Sequence, residues 1–234
     1  MNPVLIFQHK SYEGPGYLAE CLEARQVPYR IVRVDQGEAV PTDSDGASGL
    51  VFMGGPMSVN DNLPWIGVEL ALIRKAQERD IPMLGHCLGG QLISKALGGE
   101  VTRNAHREFG WLPVERVEAG LNHPWIAGLP QRFEVFHWHG ETFSIPEGAE
   151  RVLGSDLCAN QAFIAGKSLG LQCHPEMTEA MTRTWAEVFR KAPWPAEAGV
   201  QTADEVLSGL EGRLPGVQAI AGTLYARWMD FITI

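Results

Sequence analysis

Ile81-Pro82-Met83-Leu84-Gly85-His86-Cys87-Leu88-Gly89-Gly90-Gln91-Leu92-Ile93-Ser94-Lys95-Ala96-Leu97-Gly98-Gly99 is the stretch whose reading decides the fold. Ile81 to Leu84 is a short apolar run and reads as a buried strand. Leu88, Leu92, Ala96 and Leu97 fall at helical spacing, and Gly98-Gly99 ends the pattern as a helix C-terminus does. Between them the chain turns from strand to helix within a few residues, with Cys87 at the apex. A turn that tight leaves no room for side chains two positions away, which accounts for Gly85 and Gly89. The thiol then stands at a helix N-terminus, where the dipole and free N–H groups favour the thiolate. A buried, inert cysteine flanked by turn glycines is the plain alternative. The strand–G-x-C-x-G–helix context favours a nucleophile elbow.

Upstream, the same alternation continues. Val4 to Phe7, Tyr29 to Val34 and Gly49 to Met53 read as strands. Helical patterns occupy Tyr17 to Arg25 and, through Ile66, Leu70 and Ile73, a segment running to about Glu78. Asp35 to Ser48 is a polar loop whose acidic part, Glu38 to Asp45, reads as solvated surface. Strands apolar on both faces and separated by helices predict a mostly parallel sheet covered on both sides.

Downstream, the character changes. Trp111 to Val117, Phe133 to Trp138, Arg151 to Gly154, Gln161 to Ile164 and Leu169 to Cys173 are short strands divided by turn residues, a smaller antiparallel β portion. From Met177 to Ile234 the pattern is helical, broken by a loop at Ala192-Pro193-Trp194-Pro195. Thr202 and Glu205 form a capping box. Val217, Ile220, Ala221, Leu224, Tyr225 and Trp228 make one apolar stripe, read as core packing, with a partner or dimer face as the alternative.

Two further segments carry chemistry. Gln172-Cys173-His174-Pro175-Glu176 ends a strand. His174 can serve as the base for Cys87, and Glu176 can accept from the other ring nitrogen and fix the tautomer. Met53-Gly54-Gly55-Pro56 ends another strand, where a Gly-Gly turn can point backbone N–H groups into the crevice of an α/β sheet. Beside a cysteine nucleophile that is an oxyanion hole, with the Leu88 N–H as second donor. A phosphate cradle fits less well, because neither phosphate-binding glycine motif is present.

Composition narrows the partners. Across 234 residues, 19 Lys and Arg against 28 Asp and Glu give a net charge of −9 with no basic run. Such a chain is a poor candidate for nucleic-acid binding, which rests on phosphate neutralisation. No apolar stretch approaches the roughly 20 residues that span a bilayer. Met1 to Lys10 lacks the basic and apolar regions of a signal peptide. Cys21, Cys87, Cys158 and Cys173 are scattered without a C-x-x-C pair, so neither a disulfide framework nor a zinc ribbon is expected. A reducing cytoplasm is the expected compartment.

The Gly-Gly-Pro turn at 54–56, the G-x-C-x-G-x-Q elbow at 85–91 and the Q-x-H-P-E segment at 172–176 together resemble the class I glutamine amidotransferases. The resemblance implies a flavodoxin-like α/β fold, with a mostly parallel central sheet flanked by helices. It implies a triad of Cys87, His174 and Glu176, an oxyanion hole at Gly55 and Leu88, and substrate contacts at Gly54 and Gln91. It also implies hydrolysis of a glutamine or γ-glutamyl amide through a γ-glutamyl thioester, with no metal or cofactor. Gly110-Trp111, Phe136 to Phe143 and Cys158 to Phe163 are most similar to the amidotransferase domain of GMP synthase. His86 departs from the family in replacing an aliphatic residue, and Cys173 stands where an aromatic is common.

On this reading residues 1–190 form the amidotransferase domain, and 191–234 a helical C-terminal extension packed on it. About 44 residues after position 190 are too few for a synthetase domain. The expected partners are therefore a small-molecule substrate and either a separate synthetase or acceptor subunit or none. The second case is a stand-alone γ-glutamyl peptide or amine hydrolase. A homo-oligomer stays open. A catalytically silent binding or regulatory protein is a third reading, which the intact Cys87, His174 and Glu176 oppose. His137 and His139 form an H-x-H pair that shares one face of a strand. A metal-dependent enzyme could use that pair with His9, His86 or His106, but no carboxylate or cysteine set of known spacing accompanies it. Phe133, Phe136, Trp138 and Phe143 read as core or pocket wall, and Cys158 as structural.

Overall fold

A computed structural model of the chain describes residues 2–118 and 123–232. Met1, in the segment read for a signal peptide, and positions 233 and 234, at the end of the helical tail, lie outside the described residues.

The first half alternates as the apolar pattern requires. In order come β1 (Val4–Gln8), α1 (Tyr17–Ala24), β2 (Tyr29–Arg33), β3 (Gly49–Phe52), α2 (Pro64–Glu78), β4 (Met83–His86) and α3 (Leu88–Ala96). β4 begins two residues later than the apolar run. Pro82 has no N–H to give a ladder, and its carbonyl instead accepts from Leu50 N at 3.0 Å. The second half contributes β5 (Val101–Arg116), β6 (Arg132–Phe143), β7 (Glu150–Gly154), β8 (Ala162–Ala165) and β9 (Ser168–Leu171). It closes with α4 (Glu179–Lys191), α5 (Ala203–Leu207) and α6 (Leu210–Met229).

The described strands form one nine-stranded sheet in the order β2-β1-β3-β4-β9-β8-β7-β5-β6. The pairs from β2 through β9 are parallel. Those from β9 outward to β6 are antiparallel. The sheet as a whole is thus not entirely parallel: its first five strands are parallel and those beyond them antiparallel. β5 is longer than the sequence suggests, because Thr102 to Arg107 is mostly polar and largely exposed and so shows no apolar alternation, and β6 extends to Phe143 opposite Val101.

Alternate residues of the parallel strands face opposite layers, as the period of two demands. Val4, Ile6, Val51 and Leu84 pack against Leu18 and Leu22 of α1 and against Ile220, Leu224, Tyr225 and Trp228 of α6. Leu5, Phe7, Leu50 and Phe52 pack against Ile66, Leu72 and Ile73 of α2 and Leu92 and Ile93 of α3. The C-terminal stripe is therefore core. A third cluster, with Phe109, Trp111, Phe136, Trp185, Phe189 and Val206, seats α4 and α5 on the β5–β6 hairpin. The Thr202–Glu205 capping box is formed at the start of α5. Among the described residues no helix is long and apolar enough to cross a membrane.

Candidate active site

The parallel topology delivers the site. β1, β3, β4 and β9 are neighbours, so their C-terminal ends open on one crevice, where α/β sheets bind ligands. β1 runs on into His9 and Glu13, β3 into Met53-Gly54-Gly55, β4 into Cys87, and β9 into Gln172, His174 and Glu176.

Cys87 sits at the strand-to-helix elbow with φ 50° and ψ −107°, a left-handed backbone that a non-glycine residue rarely adopts. Its N–H donates to Leu171 O at 2.8 Å, which ties the elbow to β9. A Cβ on Gly85 would be driven into the backbone of Gly89, and one on Gly89 into the carbonyl of Phe52. The glycines are thus required by close approach of backbone to backbone. The Cys87 sulfur lies 3.7 Å from Trp138 O and 3.5 Å from Gln172 Nε2. Gln91 Nε2 in turn donates to Gln172 Oε1 at 3.2 Å.

His174 and Glu176 are both buried, with His174 Nδ1 2.7 Å from Glu176 Oε1. The His174 backbone N–H donates to Phe136 O at 2.8 Å, and its ring packs perpendicular to that of Trp185. Burial alone would lower the His174 pKa. The Glu176 charge and hydrogen bonding with Cys87 and Glu176 outweigh it and hold the imidazole well above its ordinary value. Burial would raise Glu176, but the facing His86 and His174 rings, and the hydrogen bond from His174, hold it below the usual carboxylate range. The two residues therefore stabilise each other's charged forms.

Gly55 and Leu88 are in close register. A Cβ on Gly55 would stand 2.8 Å from Leu88 Cδ2 and 3.2 Å from His9 Cβ. Leu88 opens α3, so its N–H is among those with no partner inside the helix. Gly54 lies against the Glu13 carboxylate and the His174 ring. Gly55, Cys87 and Gln91 border a cleft of about 480 Å³, together with Tyr12, Glu13, Trp138, His139, Glu141 and Trp194.

Several residues that shape the site do not stand out in the sequence. His9 Nδ1 is 3.0 Å from Met53 O and its Nε2 3.0 Å from Glu69 Oε1, so a buried ion pair pins the residue before the Gly-Gly turn. Burial opposes the charged ring, and Glu69 overcomes it. Glu13 is buried beside His174. Desolvation pushes its carboxyl up to about 7, with the nearby Glu176 charge adding to the rise and His174 opposing it. His86 bonds Tyr225 through Nε2, and burial holds it below the ordinary histidine value. His9 and His86 are thus engaged elsewhere than with the H-x-H pair. His137 and His139 are buried on β6 with ring centroids 5.8 Å apart, and burial drives His137 down to about 3, so its ring is neutral. Cys158 is buried, bonded to Thr142 Oγ1, and pushed up to about 11. Phe136 and Phe143 are core, whereas Trp138 borders the cleft.

A cysteine elbow facing a His–Glu pair across the crevice of a doubly covered sheet defines the class: an α/β protein organised around a cysteine-centred cleft. Residues 16–189 match the family described as Glutamine amidotransferase class-I, and the chain belongs to that family. It is 35% identical over 176 residues to a glutamine amidotransferase-like protein, YfeJ, of Salmonella typhimurium, a match covering 73% of this chain and 74% of that one. It is 33% identical to the glutamine-hydrolysing GMP synthase of Thermomicrobium roseum over 79% of this chain, a match that spans only 38% of that longer protein. The crystal structure of a glutamine amidotransferase from Methylobacillus flagellatus is similar at a TM-score of 0.95 and 40% identity, covering 100% of this chain and 96% of that one.

Proposed function

We propose that the protein hydrolyses the side-chain amide of glutamine, or of a γ-glutamyl compound, with Cys87 as nucleophile, His174 as general base and acid, and Glu176 as the group that orients His174. The observation that carries this reading is the buried His174–Glu176 pair, 2.7 Å apart, with His174 also engaging Cys87. In the first half-reaction the thiol proton passes to His174 and the sulfur attacks the amide carbon. The Gly55 and Leu88 N–H groups receive the oxyanion. His174 then returns the proton to the departing nitrogen, so ammonia or an amine leaves and a γ-glutamyl thioester remains. In the second, His174 takes a proton from water, hydroxide adds to the thioester, and the Cys87 thiol is regenerated. Gln91 helps hold the substrate, and the backbone of Gly54 lies beside His174 where the substrate would enter. All three acting residues are present, which opposes a silent binding protein.

The released nitrogen has two destinations. In one reading the protein supplies ammonia to a separate synthetase or acceptor subunit. In the other it acts alone on γ-glutamyl peptides or amines. The second is favoured by the cleft, which is roomier than a single amino acid requires and carries Tyr12, Trp138 and Trp194 on its walls.

The test compares ammonia or amine release by the purified protein from glutamine, γ-glutamyl peptides and γ-glutamyl aromatic amines, alongside Cys87→Ala. Turnover that vanishes in the variant, with its circular dichroism unchanged, supports the reading. Undiminished hydrolysis by Cys87→Ala overturns it. Faster turnover of the amines than of glutamine selects the stand-alone hydrolase.

A further inference from the structure

The antiparallel register of β5 and β6 sets Glu108 directly opposite His139 and Gly110 opposite His137. Residues 137 and 139 share one face of β6, and a directly opposed residue shares that face too. Glu108, His137 and His139 therefore converge. They are 1%, 0% and 3% exposed, and one ligand atom from each lies within 4.8 Å of the others. The sequence shows the two histidines but not the carboxylate, because Glu108 is 29 positions away in a polar stretch.

The hydrogen bonding of this cluster is incomplete in a directed way. His139 Nδ1 is 3.0 Å from the Glu141 carbonyl, which can only accept, so Nδ1 carries the proton. In the neutral ring Nε2 then presents a lone pair, and it faces Glu108 Oε2 at 2.9 Å. Two lone pairs at that distance repel unless positive charge lies between or beside them. A proton on Nε2 would make the contact a buried His139–Glu108 ion pair, and a bound cation would satisfy the same two atoms in its place. His137 is fully buried, and the Leu112 backbone is the polar group its ring addresses, so at least one ring nitrogen is left without a partner. Orphaned buried polar atoms are rare and costly, and an ion is one of the things that satisfies them. Glu108 meanwhile is held from behind. Gln161 Nε2 donates to its Oε2 at 2.8 Å, and Ser155 Oγ to its Oε1 at 3.3 Å. Metal-ligating carboxylates are held in orientation by such donors, and metal-ligating histidines bond their second nitrogen to a backbone carbonyl or carboxylate.

We infer that Glu108, His137 and His139 form a binding site for a divalent transition-metal ion, zinc by ligand type, that staples β5 to β6 beside the cleft. Two imidazoles and one carboxylate are a zinc donor set. The ion makes no contact with Cys87 and takes no part in amide hydrolysis. Its effect is on Trp138, which lies between the two histidines and whose carbonyl faces the Cys87 sulfur at 3.7 Å. Binding here stands or falls separately from the hydrolase reading.

The experiment uses the full chain carrying Cys87→Ser, so that the cleft thiol does not compete, stripped with a chelator and without a histidine tag. Zn²⁺ and Co²⁺ are titrated by calorimetry, and Co²⁺ also by visible absorption. One equivalent bound at micromolar Kd or tighter, with ligand-field bands and a raised Tm, is the expected result. His137→Leu should weaken binding by more than about tenfold, and Glu108→Gln, a near-isosteric change, should do the same if His137→Leu fails to fold. No stoichiometric binding, or binding undiminished in the folded variants, overturns the site and leaves a bridging water as occupant.

Discussion

Tyr225, on the C-terminal helix α6, sets its hydroxyl 2.9 Å from Nε2 of His86, the residue immediately before Cys87. The same nitrogen stands 3.7 Å from Glu176 Oε2, the carboxylate oxygen that His174 does not use. A helix distant in sequence thus reaches the far side of the proposed triad through one histidine. Tyr225→Phe removes the hydroxyl and leaves His86 with no hydrogen bond at either ring nitrogen, since Nδ1 already has none. The expected loss is about 1–2 kcal/mol of stability, with kcat falling by less than about tenfold and KM unchanged. Urea unfolding and initial rates measure both. A variant as stable as the parent would show that the hydroxyl contributes nothing.

Gly55→Ala tests the oxyanion hole. The added methyl would meet Leu88 Cδ2 at 2.8 Å and Met57 Cε at 3.1 Å, so the turn must shift and carry its N–H away from the developing charge. Removing one such donor costs about 10²–10³ in kcat. KM for glutamine should change little, because the oxyanion exists only after attack. A KM effect with kcat intact would instead place Gly55 in ground-state binding.

Glu176→Gln keeps the shape and removes the charge that His174 faces. By the logic of an orienting carboxylate, kcat should fall by about 10³–10⁴. Stability gives an independent readout. The Glu176 pKa is lowered in the fold, so its contribution is present above the unfolded value and lost as pH falls through the folded one. The gap between wild type and variant in urea midpoint should be flat above about pH 5 and close at more acid pH. A gap that widens on acidification would contradict the sign of the shift.

The elbow was legible because its constraint is local. Gly85 and Gly89 declare the tight turn in the sequence itself, and the apolar runs of β1, β3 and β4 declare a sheet buried on both faces. Glu108 was hidden for the opposite reason. It joins His137 and His139 only through the register of a long hairpin whose first half, Val101 to Arg107, is polar and mostly exposed. His9 and Glu69 were hidden likewise, since a buried ion pair 60 positions apart leaves no periodic signal. Tyr225 belongs to the apolar stripe of α6 and is core, but its hydroxyl has a partner that helical spacing alone does not reveal.

Glu13 makes the sharpest pH prediction. It lies at the cleft wall, 7% exposed, against Gly54 and the His174 ring. Desolvation lifts its pKa to about 7 in the fold, whereas the unfolded chain sets it near 4.5. Between those values the folded protein holds a proton that the unfolded chain has released. Stability must therefore fall as pH rises through that window, by at most about 3 kcal/mol. Glu13→Gln mimics the protonated form and should flatten the dependence, so the variant is relatively more stable at pH 8 than at pH 5. Activity should move the other way. Ionised Glu13 adds negative charge beside His174 and favours the imidazolium that forms when Cys87 gives up its proton. In wild type kcat/KM should thus rise through about pH 7, and in Glu13→Gln that rise should shrink. Parallel pH profiles of urea midpoint and kcat/KM check both signs, and unchanged profiles in the variant would show that Glu13 does not titrate in this range.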